Sequence, residues 1–220
     1  GCAVLMEVAT GEVKAIANLG KVGEGEYAEN YNYAVGNQGL TDPGSTFKLA
    51  SMIALFEDSE IHPTDSIDTG DGEFDFYDQV MRDSKEGGYG KITVQEAFEK
   101  SSNIGISRLV NDHFSLKPQK FVDYIYKLGL AEPIGFQMDG EAKPYIKSPS
   151  SKTWSGVTLP WMSIGYELKL APIHTLAFYN AIANTGRMIK PIIVKEVKVA
   201  DRVIEKYSTE VIKDRICSDE

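Results

Sequence analysis

The sequence predicts an α+β domain with an antiparallel sheet. Three observations carry this: strand-like segments near the start and end of the chain, helix signals gathered between them, and no strand–helix–strand alternation. The 220 residues, 42% of them hydrophobic, suffice for a sizeable core in one domain over residues 1–220. In chain order, Leu49-Ala50-Ser51-Met52-Ile53-Ala54-Leu55-Phe56 is nearly all apolar, so the helix that opens at Ser45 is expected in the domain centre. Thr93 and Glu96 form a capping-box signature for a short helix ending at Lys100-Ser101-Ser102-Asn103. Ser115 and Gly129 bracket a helix from Pro118 to Leu128, and Gly186 closes another from Pro172 to Asn184. Ile192 to Val199 and Val203 to Tyr207 read as a hairpin about Ala200-Asp201-Arg202. No run is long and apolar enough to span a bilayer, and neither a signal peptide nor an internal repeat is present.

Composition excludes several functions. A net charge of −9 argues against nucleic-acid binding, which needs clustered Lys and Arg on one face. The acidity gathers in residues 58–86. Asp68, Asp71, Glu73 and Asp75 would be calcium ligands on the sharp reading, but their spacing does not match an EF-hand loop and a solvated surface loop is expected. His62 precedes a proline in a loop, His113 follows a helix and His174 begins one; none has a partner at metal-ligand spacing, so no metal or other cofactor is assigned. Cys2 and Cys217 can pair in an extracytoplasmic domain, although two cysteines make no framework and free thiols are the default. Tyr31, Tyr33, Trp154 and Trp161 are candidates to line a substrate groove, packing being the commoner use of aromatics.

Two segments carry chemistry. Ser45-Thr46-Phe47-Lys48, behind Asp42-Pro43-Gly44, places a hydroxyl and an amine three residues apart on one helix face, close enough for the amine to take the hydroxyl proton. The helix start adds unpaired N–H groups and a positive dipole end beside Ser45. A bare Ser-x-x-Lys arises by chance about once in such a length. Here the apolar helix behind it gives weight, because a partly desolvated lysine has a lowered pKa and offers a neutral amine near pH 7. Ser101 and Asn103 follow 56 and 58 residues after Ser45. A hydroxyl and an amide on one short turn can relay a proton and hold a peptide group, though Ser and Asn also favour ordinary turns.

Together, Pro43-Gly44-Ser45-Thr46-Phe47-Lys48 and Ser101-Ser102-Asn103-Ile104-Gly105-Ile106-Ser107 resemble the penicillin-binding protein transpeptidases, the family shared with serine β-lactamases. The resemblance covers most of the chain. Ala3 to Ala17 looks like the family's first hairpin, turning at Thr10-Gly11, and Asn32 to Pro43 like the approach to the nucleophile. Ser163-Ile164-Gly165-Tyr166-Glu167 with Ala171 to His174, then Ala183 to Gly186, looks like the glycine turn and following helix of monofunctional, class B members, the division- or elongation-type enzymes.

The resemblance implies a β-lactamase/D,D-transpeptidase-like fold with a helical subdomain. It implies a serine transpeptidase acting on peptidoglycan stem peptides that end in D-Ala-D-Ala. Ser45 would attack the carbonyl between the two alanines, Lys48 would accept its proton, and Ser101 would help pass a proton to the leaving D-alanine. Asn103 would hold the donor peptide's amide. β-Lactams would acylate the same Ser45. An extracytoplasmic location, a membrane-anchored parent and cell-wall or division partners acting through that parent follow from the family alone.

One departure matters. The family's third motif, Lys-Thr-Gly or Lys-Ser-Gly, is absent. Ser151-Lys152-Thr153-Trp154 lies before Gly165 rather than after Gly186, and has a tryptophan in the glycine's place. Only 34 residues follow Gly186. The expectation is therefore a C-terminally truncated piece lacking the motif strand and its sheet neighbours. Losing one oxyanion-hole donor costs about 10²–10³ in rate, so weak activity or none is expected of the piece alone. Exposed sheet edges also favour self-association. The alternatives are a serine β-lactamase or D,D-carboxypeptidase on the same fold, or a non-catalytic penicillin-binding sensor or scaffold.

Overall fold

The computed structural model describes residues 1–218. Among them are six α-helices: α1 (Lys48–Asp58), α2 (Val94–Glu99), α3 (Asn103–Phe114), α4 (Pro118–Lys127), α5 (Thr158–Ser163) and α6 (Pro172–Ala183). The chain divides into two compact units. One comprises Gly1–Thr41, Lys127–Tyr145 and the chain from Leu170 onward; the other comprises Asp42–Tyr126 with Ile146–Lys169.

In the first unit the opening hairpin forms where the resemblance places it. Strands β1 (Cys2–Met6) and β2 (Val13–Asn18) pair antiparallel, with Val4 opposite Ile16. Val4, Val13 and Ile16 pack on a core of Ala34, Val35, Ile134, Phe136, Ile173 and Ala177. In the irregular 32–36 segment the buried backbone of Ala34 and Val35 finds partners. Ala34 N–H donates to Asn18 Oδ1 at 2.8 Å, and the Ala34 and Val35 carbonyls accept from Ile173 and Ala142. The 134–142 segment is organised by Glu141, whose carboxylate accepts from Ile134 N–H (2.6 Å) and Phe136 N–H (2.8 Å). His174, in the first turn of α6, is buried. Its Nδ1 accepts from Ala171 N–H, which leaves Nε2 to donate to Glu141 at 3.2 Å. Burial pushes its pKa below 6.5 against the pull of Glu141, so this histidine is a neutral structural one.

The final hairpin is shorter than expected. Glu196–Val199 pairs with Arg202–Lys206, and every residue of both strands is exposed. Ile192, read from the sequence as a strand start, is buried instead. Its carbonyl accepts from Val13 N–H at 2.8 Å, because the core captures this apolar residue before the chain turns outward.

In the second unit α1 is central. It buries Lys48, Ala50, Ser51, Met52, Ala54 and Leu55, and Ser51 Oγ donates to Ser163 O at 2.7 Å. Its α-helical start is Lys48, not Ser45: Gly44–Phe47 form a 3₁₀ turn first. The capping box of α2 closes as read, with Glu96 N–H donating to Thr93 Oγ1 and Thr93 N–H to the Glu96 carboxylate. Two local readings shift. His113 lies inside α3, and Ser115 caps the end of α3 rather than opening α4.

At the end of α1 the Asp58 side chain is only 3% exposed, and side chains from α3, from α4 and from the chain between them converge on it. Lys117 Nζ donates at 2.8 Å, Tyr124 Oη at 3.1 Å, His113 Nε2 lies at 2.9 Å, and Lys120 completes the set. Burial pushes the Asp58 carboxyl up, but the hydrogen bonds from Lys117, Lys120, His113 and Tyr124 outweigh it and hold the carboxyl below 3.8. Its stabilisation is therefore complete above that value and fades as pH falls beneath it. Asp58→Asn is expected to cost about 2–3 kcal/mol at pH 7 by urea denaturation, less than a fully buried pair because Lys117 and Lys120 keep solvent contact. The difference from wild type should shrink below pH 3.8.

Candidate active site

Ser45, Lys48, Ser101 and Asn103 all belong to the second unit. Ser45 is an exposed residue of the 3₁₀ turn. Gly44 enters that turn at φ +58°, and its N–H donates to Gly165 O at 3.1 Å. Gly165, at φ +90°, lies so near that a Cβ there would sit 2.1 Å from Gly44 O. Only a glycine at 165 admits this approach, so the contact holds the serine's turn at a defined place.

One turn later Lys48 is 1% exposed. Its amine donates to Ser101 O (2.6 Å), Asn103 Oδ1 (2.7 Å) and Ser101 Oγ (3.1 Å). All three acceptors are uncharged. Burial therefore pushes the amine from 10.5 down to about 8, opposed only by the charge of Asp83. A substantial neutral fraction near pH 8 is what a base for Ser45 needs, and residues three apart on a helical turn share a face.

Ser101 adopts φ +53°, a left-handed conformation unusual for a serine and costing about 1–3 kcal/mol. In it, both the carbonyl and the hydroxyl of Ser101 reach the same amine. Ser102 then caps α3, its Oγ accepting from Gly105 N–H at 2.9 Å. Asn103 is fixed at both ends of its amide: Nδ2 donates to Arg82 O at 2.8 Å, while Oδ1 takes the lysine.

Sequence reasoning missed Asp83. Its carboxylate accepts from Asn103 N–H (2.6 Å), Ile104 N–H (3.1 Å) and Ser102 Oγ (2.9 Å). In the sequence it is one acid among many between residues 58 and 86 and carries no motif. The other residues singled out do not join this group. Ser151 and Thr153 bond each other in an exposed turn. Asp68 caps Gly70 N–H, and Glu73 pairs with Arg82 at the surface. Among the described residues no three His, Cys, Asp or Glu side chains are grouped to hold a metal. Tyr31 and Tyr33 stack edge to face in the first unit, whereas Trp161 packs on Phe76 in the second. Among the described residues no disulfide joins Cys2 to Cys217. No helix among the described residues is long and apolar enough to cross a membrane.

Known proteins resemble this chain along most of its length. Residues 1–219 match the family model described as penicillin binding protein transpeptidase domain. The penicillin-binding protein PbpB of Mycobacterium tuberculosis is 28% identical over 211 residues, covering 90% of this chain and 29% of that protein. The peptidoglycan D,D-transpeptidase FtsI of Escherichia coli is 26% identical over 200 residues, covering 90% and 32%. This chain thus spans about a third or less of these curated relatives. The crystal structure of penicillin-binding protein 3 from Mycobacterium tuberculosis complexed with aztreonam superposes with a TM-score of 0.79 at 26% identity, over 99% of this chain and 48% of that one. The chain therefore belongs to the penicillin-binding protein transpeptidase domain family.

Proposed function

We propose that this chain carries the nucleophile side of a class B, serine-type peptidoglycan D,D-transpeptidase site. The observation that carries the reading is the buried Lys48 amine, held by Ser101 and Asn103 one helical turn from an exposed Ser45. Neutral Lys48 takes the Ser45 proton as Oγ attacks the carbonyl between the terminal D-alanines. The Ser45 N–H, at the start of the turn, supports the developing oxyanion. The carbon–nitrogen bond breaks, Ser101 relays the proton to the departing D-alanine amine, and an ester to Ser45 remains. The amine of a neighbouring stem peptide attacks that ester and forms the cross-linking amide. The acyl–oxygen bond breaks, and the proton the amine gives up passes through the Lys48–Ser101 pair to Ser45 Oγ, leaving Lys48 neutral again. Asn103, with its amide oriented by Arg82 O, holds the donor strand.

A β-lactam follows the first half of this course. Its amide opens on Ser45, but the leaving nitrogen stays tethered and blocks deacylation. Relatives whose names and titles include penicillin-binding protein, D,D-transpeptidase, ampicillin and aztreonam support this assignment. The substrate places the reaction outside the cytoplasmic membrane, where division or elongation partners act through the whole protein.

The test is a fluorescent penicillin incubated with this chain and with the full-length protein carrying it, read by intact-mass spectrometry. A single adduct lost in Ser45→Ala is expected. A full-length protein that takes no adduct, or an adduct that survives Ser45→Ala, would overturn the assignment.

A further inference from the structure

Asp83 is brought to the site by an excursion of the chain between two paired strands, Ser66–Asp68 and Lys91–Thr93. The excursion closes at its base, where Thr69 N–H donates to Gly90 O at 2.8 Å. Its neck is a backbone crossing, since a Cβ on Gly88 would lie 2.3 Å from Gly72 N. Beyond the neck, Glu73–Phe76 and Gln79–Arg82 form a hairpin. Two side chains of α3 clamp it: Ser107 Oγ lies 2.8 Å from Met81 Sδ, and the Arg108 guanidinium covers the Phe74 ring at 4.7 Å. Asp83, the next residue, is thereby held against the start of α3, and its own N–H is tied to Gly72 O at 3.0 Å.

We propose that Asp83 is the positioning residue of this site: delivered by the 73–82 hairpin, its carboxylate holds the Ser102–Ile104 turn and supplies the counter-charge under which Lys48 exchanges its proton. The consequence for catalysis rests on the proposed roles of Ser45 and Lys48. The positioning itself does not.

The argument is one of charge and connectivity. Around the buried amine, Ser45 lies on its own turn, Ser101 comes from the turn before α3 and Asn103 is the first residue of α3; all are neutral. Lys147 and Glu167, in the segments flanking α5, pair with each other at 2.6 Å. Asp83 is the charged group that acts on Lys48 and favours its protonated form. It also holds three donors at the start of α3, where the positive dipole end stabilises a carboxylate. One of those donors is the N–H of Asn103, whose side-chain oxygen meets the lysine. Removing the charge while keeping the shape therefore makes Lys48 release its proton at lower pH.

The test is an NMR titration of Lys48 in ¹³C-lysine-labelled protein, alone and with Asp83→Asn or Asp83→Glu. Asp83→Asn should lower the Lys48 midpoint by about half to one pH unit, somewhat less than a directly paired carboxylate gives. Asp83→Glu, which keeps the charge, should titrate near wild type. The acidic limb of penicillin acylation should move down with the midpoint in Asp83→Asn. Asp83→Ser is a second uncharged variant should Asp83→Asn not fold. A folded uncharged variant whose Lys48 titrates as wild type overturns the proposal, and so does unfolding of both, which would make Asp83 a structural cap only. The titration needs no catalysis. If penicillin fails to label Ser45 while the Lys48 midpoint still moves, the functional reading falls and the positioning role stands.

Discussion

Lys48→Met is expected to slow acylation of Ser45 by about 10²–10⁴-fold, the usual contribution of a positioned general base, while leaving the fold intact. Methionine nearly matches the length of the lysine stem and suits a site that is 1% exposed. Two opposing terms decide stability. Holding an amine at a pKa of about 8 against 10.5 corresponds to roughly 3 kcal/mol of penalty for its charged form. The hydrogen bonds to Ser101 and Asn103 return about 1 kcal/mol each, so the exchange should come out near neutral. The signature is in the pH dependence. Wild-type acylation should climb through about pH 8 as the native amine loses its proton. Between about 8 and 10.5 the unfolded chain binds more protons than the native one, so wild-type stability should rise across that window relative to Lys48→Met. Stopped-flow acylation and urea denaturation at stepped pH measure both. Acylation of Lys48→Met at the wild-type rate would remove the lysine from the base role.

Gly165→Ala should be the most damaging small substitution near the site. The new methyl would lie 2.1 Å from Gly44 O and 2.6 Å from Gly44 N, against backbone that cannot rotate away, and φ +90° disfavours any Cβ. Overpacking and left-handed strain together are expected to cost about 2–5 kcal/mol. Whatever protein folds must carry the Ser45 turn displaced, and a misplacement of ~1 Å can cost 10²-fold in rate. Gly44→Ala is the control: at φ +58° its added Cβ meets nothing within 4 Å, so only the strain of about 1–2 kcal/mol applies. Urea midpoints and penicillin acylation of the two variants separate packing from strain. Equal behaviour of both would contradict the glycine–glycine contact as the feature that fixes the turn.

Both expectations depend on contacts that sequence spacing does not contain. Motifs confined to a few residues were legible: Thr93 and Glu96 closed their capping box, Ser45 and Lys48 fell three apart on one turn, and Pro172 began α6. Their physics lies within one helical turn, so the letters suffice. Strand limits were less legible, because whether Ile192 extends a hairpin or enters the core depends on which distant strand captures it. Asp83 was illegible for the same reason, lying 20 residues from the Asn103 N–H it holds.

By itself, then, the sequence determined the residue types and their local spacing, and with them the hydroxyl, the amine and the helix behind them. Only the tertiary structure decided that Lys48 meets Ser101 across 53 residues of chain, that Gly165 pins Gly44, and that Asp83 supplies the opposing charge. Burial and charge set the state of the amine, and both are sums over neighbours that the chain brings together only by folding.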